Sequence, residues 1–183
     1  MGITFHPHLD VYGVAIGLVI TYEYGMRILA GRYAPLGKPA VTTRQRVMFY
    51  SGVVFLVISS TWPLHDIGEQ RLYMFHMIEH MLITLVVPPL LLGGTPEWLM
   101  RAFTRPVIPL LKVITRPIFT LVFFNAWLAL IHVPSVVELM LSDDFFHFFA
   151  HAVLFVSAIL MWWPVMDPIP AELPGTVPVP SSG

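Results

Sequence analysis

The chain has 183 residues, of which 56% are hydrophobic and 11% charged, with a mean hydropathy of +0.75 and a formal net charge of −1. Soluble domains carry about 25% charged residues, so this composition excludes an ordinary soluble globule and points to an integral membrane protein. The small net charge, with no Lys/Arg cluster interleaved with aromatics, argues against nucleic acid as a partner, and the absence of cysteine removes disulfides and thiolate metal sites.

In chain order, the opening stretch MGITFHPHLD has no basic n-region and no small-residue cleavage site, so no signal peptide is read there, and nothing signals lipidation. Apolar runs close to the roughly 20 residues needed to cross the hydrocarbon core occur near 9–29, 47–64, 72–92, 117–132 and 145–166. None alternates like a barrel strand, and a span must satisfy its own backbone hydrogen bonds. The expected fold is therefore an all-α, multi-pass transmembrane helical bundle of about five spans, occupying residues 1–166. The segment PEWLMRAFTRPVIPLLKVITRP is too basic and too broken by proline to cross, and reads as a short amphipathic element at the inner surface. The remainder, 167–183, is a Pro-rich tail without apolar periodicity.

Basic residues set a direction. The stretch after the first run holds Arg27, Arg32, Lys38, Arg44 and Arg46, and that after the third holds Arg101, Arg105, Lys112 and Arg116; of the ten basic residues only Arg71 falls elsewhere. Positively charged loops stay cytoplasmic. The N-terminus is thus expected outside, and the tail in the cytoplasm.

With that direction, all eight histidines fall in the outer half. His6 and His8 precede the first span, His65 and His132 close the second and fourth, His76 and His80 open the third, and His147 and His151 open the fifth. Both latter pairs are spaced i, i+4, which puts two imidazoles on one helical face a turn apart. Glu79 lies within a turn of His76, and Asp143 and Asp144 stand one turn ahead of His147. Such a set suits a transition metal, and ionisable groups inside a membrane mark function by default. The donors alone admit zinc, copper or iron, or a haem held by one histidine from each of two helices, such as His80 and His151. The plainer reading is that rim histidines bond to water or backbone, or that buried His–acid networks lock helices together. Met74, Met77 and Met81 are expected to pack rather than ligate. Pro88-Pro89 is expected to kink the third span, and Trp162-Trp163-Pro164 to anchor and stop the fifth.

The stretches HMIEHMLITLVVPPLLLGGTP, TRPIFTLVFFNAWLALIHVP and FHFFAHAVLFVSAILMWWPVMDPIP closely resemble the multi-span CtaG-type cytochrome c oxidase assembly factors of bacteria. The resemblance covers roughly residues 62–170. It implies a role in maturing a haem–copper oxidase in the bacterial cytoplasmic (inner) membrane, with copper bound at the outer face and oxidase subunits as partners; no carboxylate–nucleophile arrangement for hydrolysis is evident in the chain, so no catalysis is expected. Carried over by position, it marks His76, His80, His132, His147 and His151, with Pro88, Pro89, Trp163 and Pro164 as structural residues. Glu79 and Asp143 join the candidate metal ligands on position in the sequence. Two departures stand out: Ala150 occupies a place where an acidic residue is expected, and relatives usually continue with further spans. The competing expectation is an accessory subunit of a larger membrane complex with no metal. A membrane di-iron enzyme is disfavoured, because HxxHH clusters are absent and the histidines lie on the wrong side.

Overall fold

The computed structural model describes residues 9–61 and 73–169, which are helical throughout with short connections and no strand. His6, His8, His65, Arg71 and the tail beyond 169 lie outside the described residues. The chain divides into two compact units, Met1–Leu99 and Met100–Gly183.

In the first unit, α1 (Leu9–Tyr33) is unbroken by proline and passes through a π turn at Gly25–Leu29. It ends where Ala34 goes extended, as the residue before Pro35 must. α2 (Thr43–Ser59) starts on a reciprocal cap: the Thr42 hydroxyl accepts from the Gln45 amide, and the Gln45 side chain accepts from the Thr42 amide. α3 runs through Tyr73–Met81, a π turn at Leu82–Val86, and Val87–Gly94.

Two glycines bring α2 and α3 into close packing. A Cβ on Gly94 would meet the Phe49 backbone nitrogen at 2.3 Å, and one on Gly52 would press on Leu91 at 3.0 Å. Since Phe49 meets Gly94 while Gly52 meets Leu91, the two helices run antiparallel. Tyr22 joins them: its ring stacks on Phe49 at 3.8 Å, and its hydroxyl donates to the Gly94 carbonyl, one of the acceptors a helix end leaves open. Tyr22 on α1, Phe49 near the start of α2 and Gly94 at the end of α3 therefore share one level, and the C-terminal part of α1 continues about 16 Å beyond it. The basic residues from Arg27 to Arg46 lie at or beyond that level, on the side away from His76 and His80 at the far end of α3. From His80 to Gly94 the axial distance is about 21 Å.

α4 (Glu97–Thr104) begins in this unit, where Leu99 is fully buried and the Trp98 indole donates to the Ala40 carbonyl at 2.7 Å. The second unit continues through a 3-10 turn (Arg105–Val107), α5 (Ile108–Ile114), α6 (Pro117–Ile131), α7 (Pro134–Ser142) and α8 (Asp144–Met166). Prolines at 106, 109, 117 and 134 sit in the first turns, where a missing amide costs nothing. They explain why the 97–114 stretch is built of short pieces, and α6 leaves it at a bend of 83°. The Trp127 indole on α6 donates to the Ala150 carbonyl on α8 at 3.1 Å and meets Phe149 edge to face. Asp167, at φ 42°, ends α8 in a left-handed conformation.

Three helices are long and apolar enough to cross a membrane, at Leu9–Tyr33, Met74–Gly94 and Asp144–Met166; a fourth counts if Glu97–Ile114 and Pro117–Ile131 form one bent span. Among the described residues this differs from the five spans expected. The second run forms a 17-residue helix that starts four residues early and takes in Arg44 and Arg46. The fourth forms a 15-residue helix, about 22 Å long against a core of about 30 Å.

Candidate functional site

Two clusters of candidate residues are built, one in each unit. In the first, His76, Glu79 and His80 occupy the head of α3. Glu79 and His80 are almost fully buried, at 1% and 3% exposure, and His76 is half-buried. The His76 and His80 rings lie with centroids 4.3 Å apart and planes tilted by 54°. Nitrogens bound to one ion at about 2.0–2.1 Å each can be no more than about 4.2 Å apart, and rings at this separation and tilt can close on a single ion.

Two features hold His80 in place. The buried Thr84 hydroxyl, four residues on, donates to the His80 carbonyl. Directly beyond Met81 the helix widens into the π turn, where the Val87 amide bonds to the Leu82 carbonyl five residues back. The cause lies downstream. Pro88 and Pro89 bring no amide, and in a regular helix the Pro88 ring would strike the Thr84 carbonyl. Widening the preceding turn relieves that clash, and such turns recur at functional sites. The kink expected at Pro88-Pro89 thus takes the form of a π turn placed before the prolines.

In the second unit, His132 caps α6, its Nδ1 lying 2.6 Å from the Leu128 carbonyl oxygen. A carbonyl only accepts, so Nδ1 is the donor in this bond. Fixing the tautomer through Nδ1 is what second-sphere carbonyls do for metal-binding imidazoles. His147 and His151 on α8 stack with centroids 4.7 Å apart and planes only 12° from parallel. The Trp127–Ala150 hydrogen bond sets the level of α6 on α8, so His132, five residues past Trp127, lies at the same end of this unit as His147 and His151.

Asp143 is engaged differently from the other candidates. It is the N-cap of α8, its carboxylate accepting from the Phe146 amide at 3.0 Å. Ala150, standing where a carboxylate was expected, is fully buried, and its carbonyl receives the Trp127 indole. Sequence reasoning passed over Thr84 and Trp127. Thr84 carried a legible signal, a hydroxyl four residues after a histidine; the Trp127 contact spans 23 residues and needed the packing of α6 on α8.

Residues 20–181 match the family model described as cytochrome c oxidase caa3 assembly factor, a match that takes in both clusters and extends upstream of the resemblance read from the sequence. No curated protein and no solved structure matches the chain.

Proposed function

This chain belongs to the family of cytochrome c oxidase caa3 assembly factors, and we propose that it presents copper to a haem–copper oxidase during assembly, from the outer face of the bacterial cytoplasmic membrane. Copper is cargo in this reading. The donors are His76 and His80 with Glu79 on α3, and His132, His147 and His151 in the second unit. Imidazole nitrogens suit copper, zinc and iron alike; the choice of copper rests on the nature of the oxidase client. Assembly in this sense is binding and release, a non-catalytic role.

The observation that carries the reading is the His76–His80 pair, side by side at the helix head with His80 and Glu79 buried, about 21 Å from the level of Gly94. In the first unit, α2 lies along α3 and its basic end matches the basic end of α1. Under the positive-inside rule that end is cytoplasmic, which turns the head of α3 outward with the N-terminus outside. With α2 and α6 counted as short spans, the crossings number five.

The test is copper analysis of the purified chain after loading, beside a variant with His76, His80, His147 and His151 all changed to alanine. Retained copper in the native chain, lost in the variant, is expected. A native chain that holds no copper overturns the reading. An accessory subunit without metal is the second reading, and the near-parallel stacking of His147 on His151 favours it, since stacked rings serve packing as well as they serve an ion. That reading predicts a native chain that takes up no metal on loading. A visible spectrum of the purified chain decides whether haem is present instead.

A further inference from the structure

The first unit carries a second binding feature, remote from the histidines. Along α2 an open groove of about 350 Å³ is lined by Arg46, Val47, Tyr50, Ser51, Val54 and Phe55. These residues form two adjacent helical rows, 46-50-54 and 47-51-55, extending about 13 Å along the axis. Chemistry changes along that length. A guanidinium stands at the basic end, two hydroxyls follow about one turn further, and Val54 and Phe55 complete the floor at 53% and 40% exposure.

The segment leading into the groove carries unbalanced charge. Between residues 23 and 46 there are five cations, Arg27, Arg32, Lys38, Arg44 and Arg46, and one carboxylate, Glu23. Glu23 is engaged: it accepts from the Tyr50 hydroxyl at 2.8 Å and lies 4.0 Å from the Arg27 Nε. Arg46 forms no ion pair with any described residue. Nor are the first amides of α2 a rival anion site, because Thr42 and Gln45 cap that end.

We propose that this groove binds an anionic phospholipid. The Arg46 guanidinium takes the phosphate, in the forked geometry that arginine offers to such oxygens. The Ser51 hydroxyl, which makes no hydrogen bond with a described residue, faces the level of the glycerol ester carbonyls. An acyl chain lies over Val54 and Phe55. Cation, hydroxyl and hydrocarbon floor thus follow one another in the order in which a phospholipid presents phosphate, ester and chain. Clusters of basic residues at the cytoplasmic ends of spans attract anionic lipid in general; here the groove adds a fixed place for one molecule. The occupant is a lipid rather than a free anion because most of the lining is apolar.

The test uses the full chain in mild detergent, titrated with phosphatidylglycerol or phosphatidylcholine and read by native mass spectrometry. At least a tenfold preference for one phosphatidylglycerol is expected. Arg46→Gln, at an exposed position, should reduce the preference below threefold. Val54→Trp, which fills the groove and leaves every charge in place, should abolish the retained adduct. Arg32→Gln should leave the preference unchanged, and inorganic phosphate at millimolar concentration should not displace the lipid. Equal binding of the two lipids overturns the proposal. So does a preference that survives either groove variant, one that falls equally with Arg32→Gln, or one erased by phosphate alone. Melting temperatures of the variants within about 3 °C of the native chain establish that a lost adduct is not lost folding.

Discussion

The heads of α3 and α8 share an HxxxH spacing and differ in nearly everything around it. On α3 the rings are tilted by 54°, one is buried with a carboxylate beside it, and the helix changes its winding immediately afterwards. On α8 the rings lie nearly parallel, both are half-buried, and the helix continues regularly for 23 residues from a capped start. Spacing alone places two imidazoles on one face. The surroundings decide whether the pair is held fixed by its helix or merely carried along it. By that measure the α3 pair is the more firmly held, and the α8 pair is the more adaptable one.

Four changes bear on this contrast. The largest effect is expected from Gly94→Ala, whose new methyl would collide with backbone of α2 rather than with a side chain that can turn away. Overpacking of this kind costs about 3 kcal/mol. Unfolding in detergent should show the loss in the first unit, with the α8 pair's ring signals in NMR unaltered. Next is His80→Ala against His151→Ala. Truncating the buried member should destabilise by about 2 kcal/mol and lower copper affinity at least tenfold, and the half-buried member should cost less than half as much stability. Equal losses at the two sites would erase the contrast between the two pairs.

Asp143→Ala comes third, at about 1 kcal/mol for a lost N-cap. Copper content should be unchanged, since the carboxylate caps α8; a fall in bound copper would instead make it a ligand. The smallest stability change is expected from Pro88→Ala with Pro89→Ala, less than about 1 kcal/mol in either direction. Restored amides let the π turn relax to regular helix, and the readout is copper affinity, expected to fall several-fold. An unchanged affinity would show that the winding of α3 does not serve the histidines.

The sequence disclosed the long helices well, because their apolar runs have the length of a bilayer and little else can explain them. Leu9–Tyr33, Met74–Gly94 and Asp144–Met166 lie within a few residues of the runs read at 9–29, 72–92 and 145–166. The shorter runs were less legible, since hydropathy does not register a cap: Thr42 and Gln45 start α2 well before its apolar stretch begins. α7 was missed altogether. Its signal was present, with Pro134 at the first position and apolar residues at 136, 137, 139 and 140, but it is too short to stand out from a loop.

At the site, the histidine pairs were legible from i, i+4 spacing and from the improbability of ionisable groups in apolar runs. Their different ring geometries were not, because tilt depends on rotamers that packing selects. Asp143 illustrates the same limit. An acid one turn before a histidine reads as a candidate ligand, and the sequence did not show that one of its carboxylate oxygens accepts from the Phe146 amide and caps the helix.

The π turn at Leu82–Val86 has a consequence for phase. A π turn accommodates one residue more than the regular helix it interrupts, so everything before it is offset by about 100° relative to everything after it. Leu91 and Gly94, beyond the turn, are fixed by their grip on α2. The extra residue therefore sets the compass bearing of His76 and His80. Deleting one residue between Leu82 and Val86 would leave a continuous helix with the same grip on α2 and both imidazoles swung a quarter-turn aside. By the same geometry, a relative one residue shorter in this interval would need its HxxxH motif in a different register to aim at the same point.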